Sequence, residues 1–317
     1  MQIFTELNKN PNLSLALGFF DGVHSGHQAV IKSAVDYAKQ NGTKSAVITF
    51  RDHPCCYFWG VCPKYILTRE MREEKIAEFG VDYLYELDFE EISGLTAEDY
   101  LKDCLVKNFT PVAISTGWNH NFGYKKSGNP KFLKDNAKKF GYEYFELPPK
   151  KYESEIISST AIRKFLSEGK IEKANSMLGY KFFVRGEVVK GNQIGRTIGF
   201  RTANLEYPSE LINLPYGVYA AEVQTADKVT KQETTDNSHT SMPPCLYTYY
   251  KAVANYGVRP TVSGSKAILE VHILDFDEDI YGETIEVSFE KMLRPERRFN
   301  SLDELKEQIK SDIMGVY

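Results

Sequence analysis

Two histidines separated by serine and glycine, His24 and His27, lie in GFFDGVHSGHQAVI (18–31), where an apolar run meets a glycine-bracketed turn. The run predicts a strand, and the residues from about His27 onward predict a helix. Both imidazoles then lie at a helix N-terminus, where unpaired N–H groups and the helix dipole favour an anion. Imidazoles so placed can donate to phosphate oxygens and stabilise the charge that develops during phosphoryl transfer, with no nucleophilic side chain required. The same pair could simply cap a helix beside a turn. A second constellation occupies GNQIGRTIGFRTANLEYP (191–208). Glycines that allow close backbone approach, followed by the oxygen-bearing Thr202 and Asn204, suggest a phosphate or metal site. Taken alone, Thr202-Ala203-Asn204 reads equally well as a turn.

These residues need elements to hold them. In the first 150 residues, SLALGFF (14–20), KSAVITF (44–50), DYLYEL (82–87), VAISTG (112–117) and YEYFELP (142–148) read as strands. Helical spacing fills the intervals, in HQAVIKSAVDYAKQNG, TREMREEKIAEFG, TAEDYLKDCLVKN and NPKFLKDNAKKFG. Such alternation implies a parallel sheet covered by helices, with ligands at the carboxyl ends of the strands. Beyond about residue 180, FFVRGEVVKG, GVYAAEVQT, TYYKAVANYG, ILEVHILDF and TIEVSFEKML are closely spaced and punctuated by glycine. They predict an antiparallel sheet or small barrel. SLDELKEQIKSDI predicts a closing helix, with Ser301 as N-cap and Glu304 completing a capping box. The division is expected at 1–178 and 179–317, within a helical connector, TAIRKFLSEGKIEKANSMLG. The polar, threonine-rich residues 225–246 read as a long loop between two strands.

Composition narrows the classes of function. The net charge of −4 gives no reason to expect a nucleic-acid partner. The polar N-terminus has no apolar signal core, and no apolar run approaches the roughly 18 residues of a membrane span. The expectation is a cytoplasmic protein without a membrane partner, monomeric or weakly homo-oligomeric. Five cysteines, at 55, 56, 62, 104 and 245, speak against a disulfide framework. His53, Cys55, Cys56 and Cys62 lack the paired spacing of structural zinc, so they read as free thiols in a loop.

Further strings join the histidine motif in order. GFFDGVHSGH resembles the G-x-F-D-G-V-H-x-G-H string of the FMN adenylyltransferase branch of the H-x-G-H nucleotidyltransferases. TFRDHP (49–54), TGWNHNFGYKKSG (116–128) and ISSTAIRKFLSEG (157–169) resemble that branch's later segments. Asp52 replaces the first proline of T-F-x-P-H-P. The resemblance implies a Rossmann-like domain that transfers AMP from ATP to FMN and releases pyrophosphate. His24 and His27 would polarise the ATP phosphates, with Gly18 and Gly26 beside them. Ser158, Ser159, Thr160 and Arg163 would form a second phosphate-binding element, and Asn119 would help hold the flavin or adenine. Magnesium would share the phosphate charge.

The second half resembles the riboflavin kinase domain, commonly fused behind this transferase in bacteria. The 191–204 stretch resembles G-x-x-x-G-R-x-x-G-F-P-T-A-N, and YGVYAAEV (216–223), NYGVRPTV (255–262), ILEVHILDFDEDIYGE (268–283) and LRPERRF (293–299) follow in order. The resemblance implies a mostly β barrel with a C-terminal helix that phosphorylates riboflavin with Mg2+ and ATP. Glu270 falls at the base position, Thr202 and Asn204 at the magnesium ligands, and Gly191, Gly195, Arg196 and Gly199 at the ATP phosphates. Arg294 falls at a flavin-binding position. Arg201 replaces the family's proline, placing a cation that could either repel magnesium or reach the ATP phosphates. The whole chain then reads as an enzyme of FAD biosynthesis. An alternative keeps only the adenylyltransferase and makes the second domain a flavin-binding module with a weak or silent kinase.

Overall fold

A computed structural model describes residues 1–190, 199–226, 247–261 and 264–317 of the chain. Gly191, Gly195, Arg196, Cys245 and most of the polar 225–246 stretch lie outside these residues.

The chain divides into two compact units, 1–162 with 177–179, and 163–176 with 180–317. The first is built on a parallel sheet of β1 (Gln2–Phe4), β2 (Leu13–Leu17), β3 (Lys44–Phe50), β4 (Tyr83–Leu87), β5 (Ala113–Gly117) and β6 (Glu143–Leu147). Its order is β1-β4-β3-β2-β5-β6, every pair parallel. The five interior residues of β2 are all buried, as a central parallel strand covered on both faces requires. The edge strand β1 escapes the sequence pattern because three residues are too few to show a period.

Helix α1 (Ser25–Asn41) buries Val30, Ile31, Ala34, Val35 and Ala38, the stripe expected of a 3.6-residue period. It stops at Gly42, whose φ of 66° suits glycine and whose N–H donates to the Ala38 carbonyl. Helices α2 (Pro54–Trp59), α3 (Arg69–Ala77) and α4 (Pro130–Phe140) follow. The stretch predicted as one helix at 96–108 is helical from Ala97 to Phe109, with a π segment over Tyr100–Val106. A small hairpin of β7 (Lys151–Tyr152) and β8 (Glu155–Ile156) precedes α5 (Ser159–Ser167) and α6 (Ile171–Leu178).

In the second unit β9 (Phe183–Val189), β10 (Ala203–Glu206), β11 (Gly217–Ala226), β12 (Tyr247–Thr261), β13 (Gly264–Ile273) and β14 (Thr284–Pro295) close a barrel. Around it the order is β10-β13-β12-β11-β14-β9, all antiparallel, with β9 pairing back to β10. Leu205, Tyr219, Tyr256, Leu269, Val271, Val287 and Phe289 are inaccessible to solvent, and their alternation along the strands identifies the barrel interior. Helix α7 (Leu302–Met314) closes the chain. Ser301 caps it by accepting from Glu304 N–H at 3.1 Å, while the Glu304 carboxylate reaches past the cap to Asn300 N–H at 3.0 Å.

Two sequence expectations change. Cys56 and Cys62 are disulfide-bonded rather than free, with Cα atoms 4.4 Å apart. Helix α2 ends at Gly60 in the left-handed region (φ 64°), which turns the chain so that residues six apart meet. The odd cysteine count and the absence of an apolar signal core argue against a disulfide framework, but they say nothing about one pair brought together by a local turn. In addition, Asn204 belongs to a strand, β10, where the sequence suggested a loop.

Candidate active sites

In the first sheet the order reverses at β2, so the crevice beyond the carboxyl ends of β2 and β5 is where such sheets take ligands. The turn leaving β2 fills that position. Phe20 (φ 59°) and Val23 (φ 34°) both take left-handed backbone, uncommon without glycine, and their burial at 1% and 0% exposure holds them there. Gly22, at φ 77°, could not be replaced without strain, and a Cβ there would lie 2.8 Å from Ile66. A Cβ on Gly18 would meet the Phe20 ring at 3.0 Å.

Helix α1 begins at Ser25, two residues earlier than the sequence pattern predicted, because the His24 side chain is its cap. Nδ1 of His24 accepts the His27 N–H at 3.2 Å, and the two imidazoles stack with centroids 3.6 Å apart. Glycine at position 26 suits this stack: a Cβ there would press on the imidazole, 3.1 Å from His24 Cε1. His24 is 6% exposed, and burial holds its pKa down at about 4. It is therefore neutral near pH 7, and with Nδ1 accepting, its proton lies on Nε2. Phe20 meets the His27 ring edge-on, at 5.4 Å. The cap thus leaves one fixed N–H donor where an isolated imidazole would have a mobile charge.

The serine element converges on the same turn. Ser158 Oγ caps α5 by accepting from Ala161 N–H at 3.2 Å, and Ser159 Oγ donates to the Asp21 carbonyl at 2.9 Å. Asp21 in turn accepts the Ile66 N–H at 3.0 Å. Residues 177–179 brace α1: Ser25 Oγ donates to the Met177 carbonyl, and Gln28 Nε2 donates to those of Val23 and Leu178. Thr160 is exposed on the first turn of α5, and Arg163, further along that helix, belongs to the second unit. Asn119 stands exposed just past the end of β5, the strand beside β2. Arg72 donates to the Phe50 and Glu86 oxygens at 3.0 and 2.8 Å and lies over the Phe19 ring, joining the ends of β3 and β4 to the turn. No local pattern marks this buried Arg72–Glu86 pair, which Arg69 joins through the other Glu86 oxygen, because its members lie on separate elements.

In the barrel, Asn204 on β10 is directly opposite Glu270 on β13, which is directly opposite Asn255 on β12. The three share the outer face, since Leu205, Leu269 and Tyr256 alternate inward. A cavity of about 220 Å³ lies beside this row, lined in part by Arg201, Thr202, Asn204, Asp277 and Tyr281. Glu270 is not part of its wall. Asn204 is 6% exposed, and its Oδ1 is buried with no hydrogen-bond partner among the described residues, a hard oxygen left available at the cavity wall. Gly199, exposed at φ 90°, leads into the segment.

Arg201 lines this cavity together with Asn204: its guanidinium pairs with Asp277, while its carbonyl oxygen accepts from His272 Nδ1 at 2.7 Å. Arg294 is engaged elsewhere. Its guanidinium grips the Asp312 carboxylate at 2.8 to 3.1 Å, tying β14 to α7, and Gln308 adds a further donor to that carboxylate.

Comparison with known proteins follows the same division. The family model for FAD synthetase matches residues 6–161 and that for riboflavin kinase matches residues 178–316. The chain is similar to the bifunctional riboflavin kinase/FMN adenylyltransferase of Listeria monocytogenes, 35% identical, covering 98% of this chain and 91% of the relative. The protein of that description from Escherichia coli K12 is 35% identical, over 94% of this chain and 90% of its own. A crystal structure described as a macrolide-efflux protein from Streptococcus pneumoniae superposes with a TM-score of 0.85 at 31% identity, covering 100% of this chain and 99% of that one.

Proposed function

The chain belongs to the bifunctional riboflavin kinase/FMN adenylyltransferase family, and from that premise we propose that its barrel phosphorylates riboflavin and its parallel-sheet domain adenylylates the product to FAD. The observation that carries this reading is that two family matches run in series along one chain and each contains its own constellation of chemically suited residues.

In the kinase step, the Glu270 carboxylate takes the proton of the riboflavin 5′-hydroxyl as that oxygen attacks the γ-phosphorus of ATP, and ADP leaves. Asn204 Oδ1, buried without a partner, and the neighbouring Thr202 suit Mg2+, which takes few protein oxygens and keeps several waters. When bound, the ion neutralises charge on the phosphates. In the transferase step, a phosphate oxygen of FMN attacks the α-phosphorus of ATP and pyrophosphate departs. His24, neutral, donates from Nε2 to the phosphates without carrying a charge that would hold pyrophosphate back. His27 and the N-terminus of α5 at Ser158–Thr160 complete the phosphate surroundings. ATP, riboflavin and FMN are the small-molecule partners this assigns. In this reading Asn119, exposed just past the end of β5, contacts flavin or adenine.

The full chain incubated with riboflavin and Mg-ATP is expected to yield FMN and FAD on chromatography. His27→Ala stops at FMN, whereas Glu270→Gln leaves riboflavin unchanged but still converts added FMN to FAD. FAD from FMN with no product at all from riboflavin would defeat the kinase half of the reading. The riboflavin kinase match over residues 178–316, with Asn204 directly opposite Glu270 across β10 and β13, favours an active kinase over a silent flavin-binding module.

A further inference from the structure

We infer that His272 is a positioning residue for the kinase: it fastens the segment carrying Thr202 and Asn204 to the strand carrying Glu270. The inference rests on the kinase reading of the barrel and names a residue that reading leaves without a role.

Three observations carry it. His272 lies two residues after Glu270 on β13, so both side chains leave the same outer face. The β10–β13 ladder ends at Ala203 opposite Val271, so one further rung would set Thr202 opposite His272. There the ladder stops, and a side chain replaces it: His272 Nδ1 lies 2.7 Å from the Arg201 carbonyl oxygen. A carbonyl only accepts, so the imidazole is the donor, with its proton on Nδ1. The Phe200 ring packs on the same imidazole at 5.5 Å and 89°. His272 thus holds residues 200 and 201, immediately before the proposed magnesium ligands.

The need for such a fastener follows from Arg201. A proline there would fix φ by its ring, whereas arginine leaves that torsion free and its segment costs more entropy to order. The Arg201–Asp277 ion pair does not supply the missing constraint, because its side chains are 61% and 87% exposed and water screens such a pair. The hydrogen bond from His272 acts on the backbone itself.

The test uses the full chain. With His272→Ala, riboflavin phosphorylation is expected to fall about 10- to 100-fold, the usual loss when a residue supporting a metal ligand is removed. The calorimetric affinity for Mg-ADP falls with it, while conversion of added FMN to FAD is unchanged. His272→Asn, whose amide nitrogen can donate from nearly the position of Nδ1, restores most of both quantities, and His272→Gln restores neither. Wild-type phosphorylation and Mg-ADP affinity in His272→Ala would overturn the proposal, as would equal behaviour of the Asn and Gln variants. Should His272→Ala fail to fold, the Asn and Gln pair decides. No FMN from the unaltered chain would instead defeat the kinase reading, and this proposal with it.

Discussion

His24 performs two tasks with one ring, since the nitrogen that caps α1 fixes which nitrogen carries the proton. Its burial also couples the site to pH. The unfolded chain protonates this residue near 6.5, whereas the native form resists until about 4. Below 6.5 the unfolded state therefore binds more protons, so native stability falls as pH drops through that window and is unaffected above it. The sequence pattern could not have shown this shift. Between pH 7 and pH 5 the share of His24 is about 2 kcal/mol. His24→Asn, which keeps a capping acceptor, should unfold in urea with a correspondingly weaker loss over that range. The His24 Cε1 proton should titrate by NMR near pH 4 rather than 6.5. His120, whose buried Nε2 has no partner among the described residues and whose pKa is also pushed down to about 4, adds a second contribution of the same sign. Gly26→Ala should slow FAD synthesis from FMN at least tenfold with little effect on riboflavin phosphorylation, because the new Cβ presses on the His24 ring.

Elements decide what the sequence could reveal. The parallel strands other than β1 were legible as short continuous apolar runs, and the longer helices by their 3.6-residue period. The barrel strands were legible by their close spacing and glycine punctuation, apart from the four residues of β10. What escaped were contacts joining elements far apart in the chain: Arg201 to Asp277, His272 to the Arg201 carbonyl, and Arg294 to Asp312. None leaves a local pattern. The last of these decides how α7 is held. The side chains of Arg294 and Asp312 are 17% and 5% exposed, and removing one member of so buried a pair costs about 3 kcal/mol or more. Asp312→Ala should lower the unfolding temperature of the barrel and speed amide exchange in α7 and the end of β14, leaving the first unit unchanged. Unaltered exchange in α7 would show that its apolar contacts suffice.

The whole molecule carries two chemistries in series, and the second needs from the first only its free product, FMN. A mixture of His27→Ala and Glu270→Gln chains should therefore convert riboflavin to FAD through released FMN, though neither makes it alone. Absence of FAD from the mixture, with each half active separately, would mean that FMN does not leave the chain that makes it. The ordered strings that resemble the two families, around the histidine motif and around Asn204, made this pairing of activities readable from sequence, since each motif alone reads equally well as a cap or a turn. Residues 163–176 group with the barrel and 177–179 with the first unit.

That return bears on how such chains can be recombined. A chimera joined once, just after residue 162, would take residues 177–179 from a different parent than α1. The carbonyls that receive Ser25 and Gln28 would then come from foreign sequence. Backbone acceptors are indifferent to side-chain identity, so the exchange can succeed between relatives that keep the length of the connector. An insertion or deletion between 163 and 176 would displace those acceptors and disturb the histidine turn from a distance. A graft between two such enzymes must therefore preserve the length of the connector along with its buried residues, Leu166, Ile171 and Ala174.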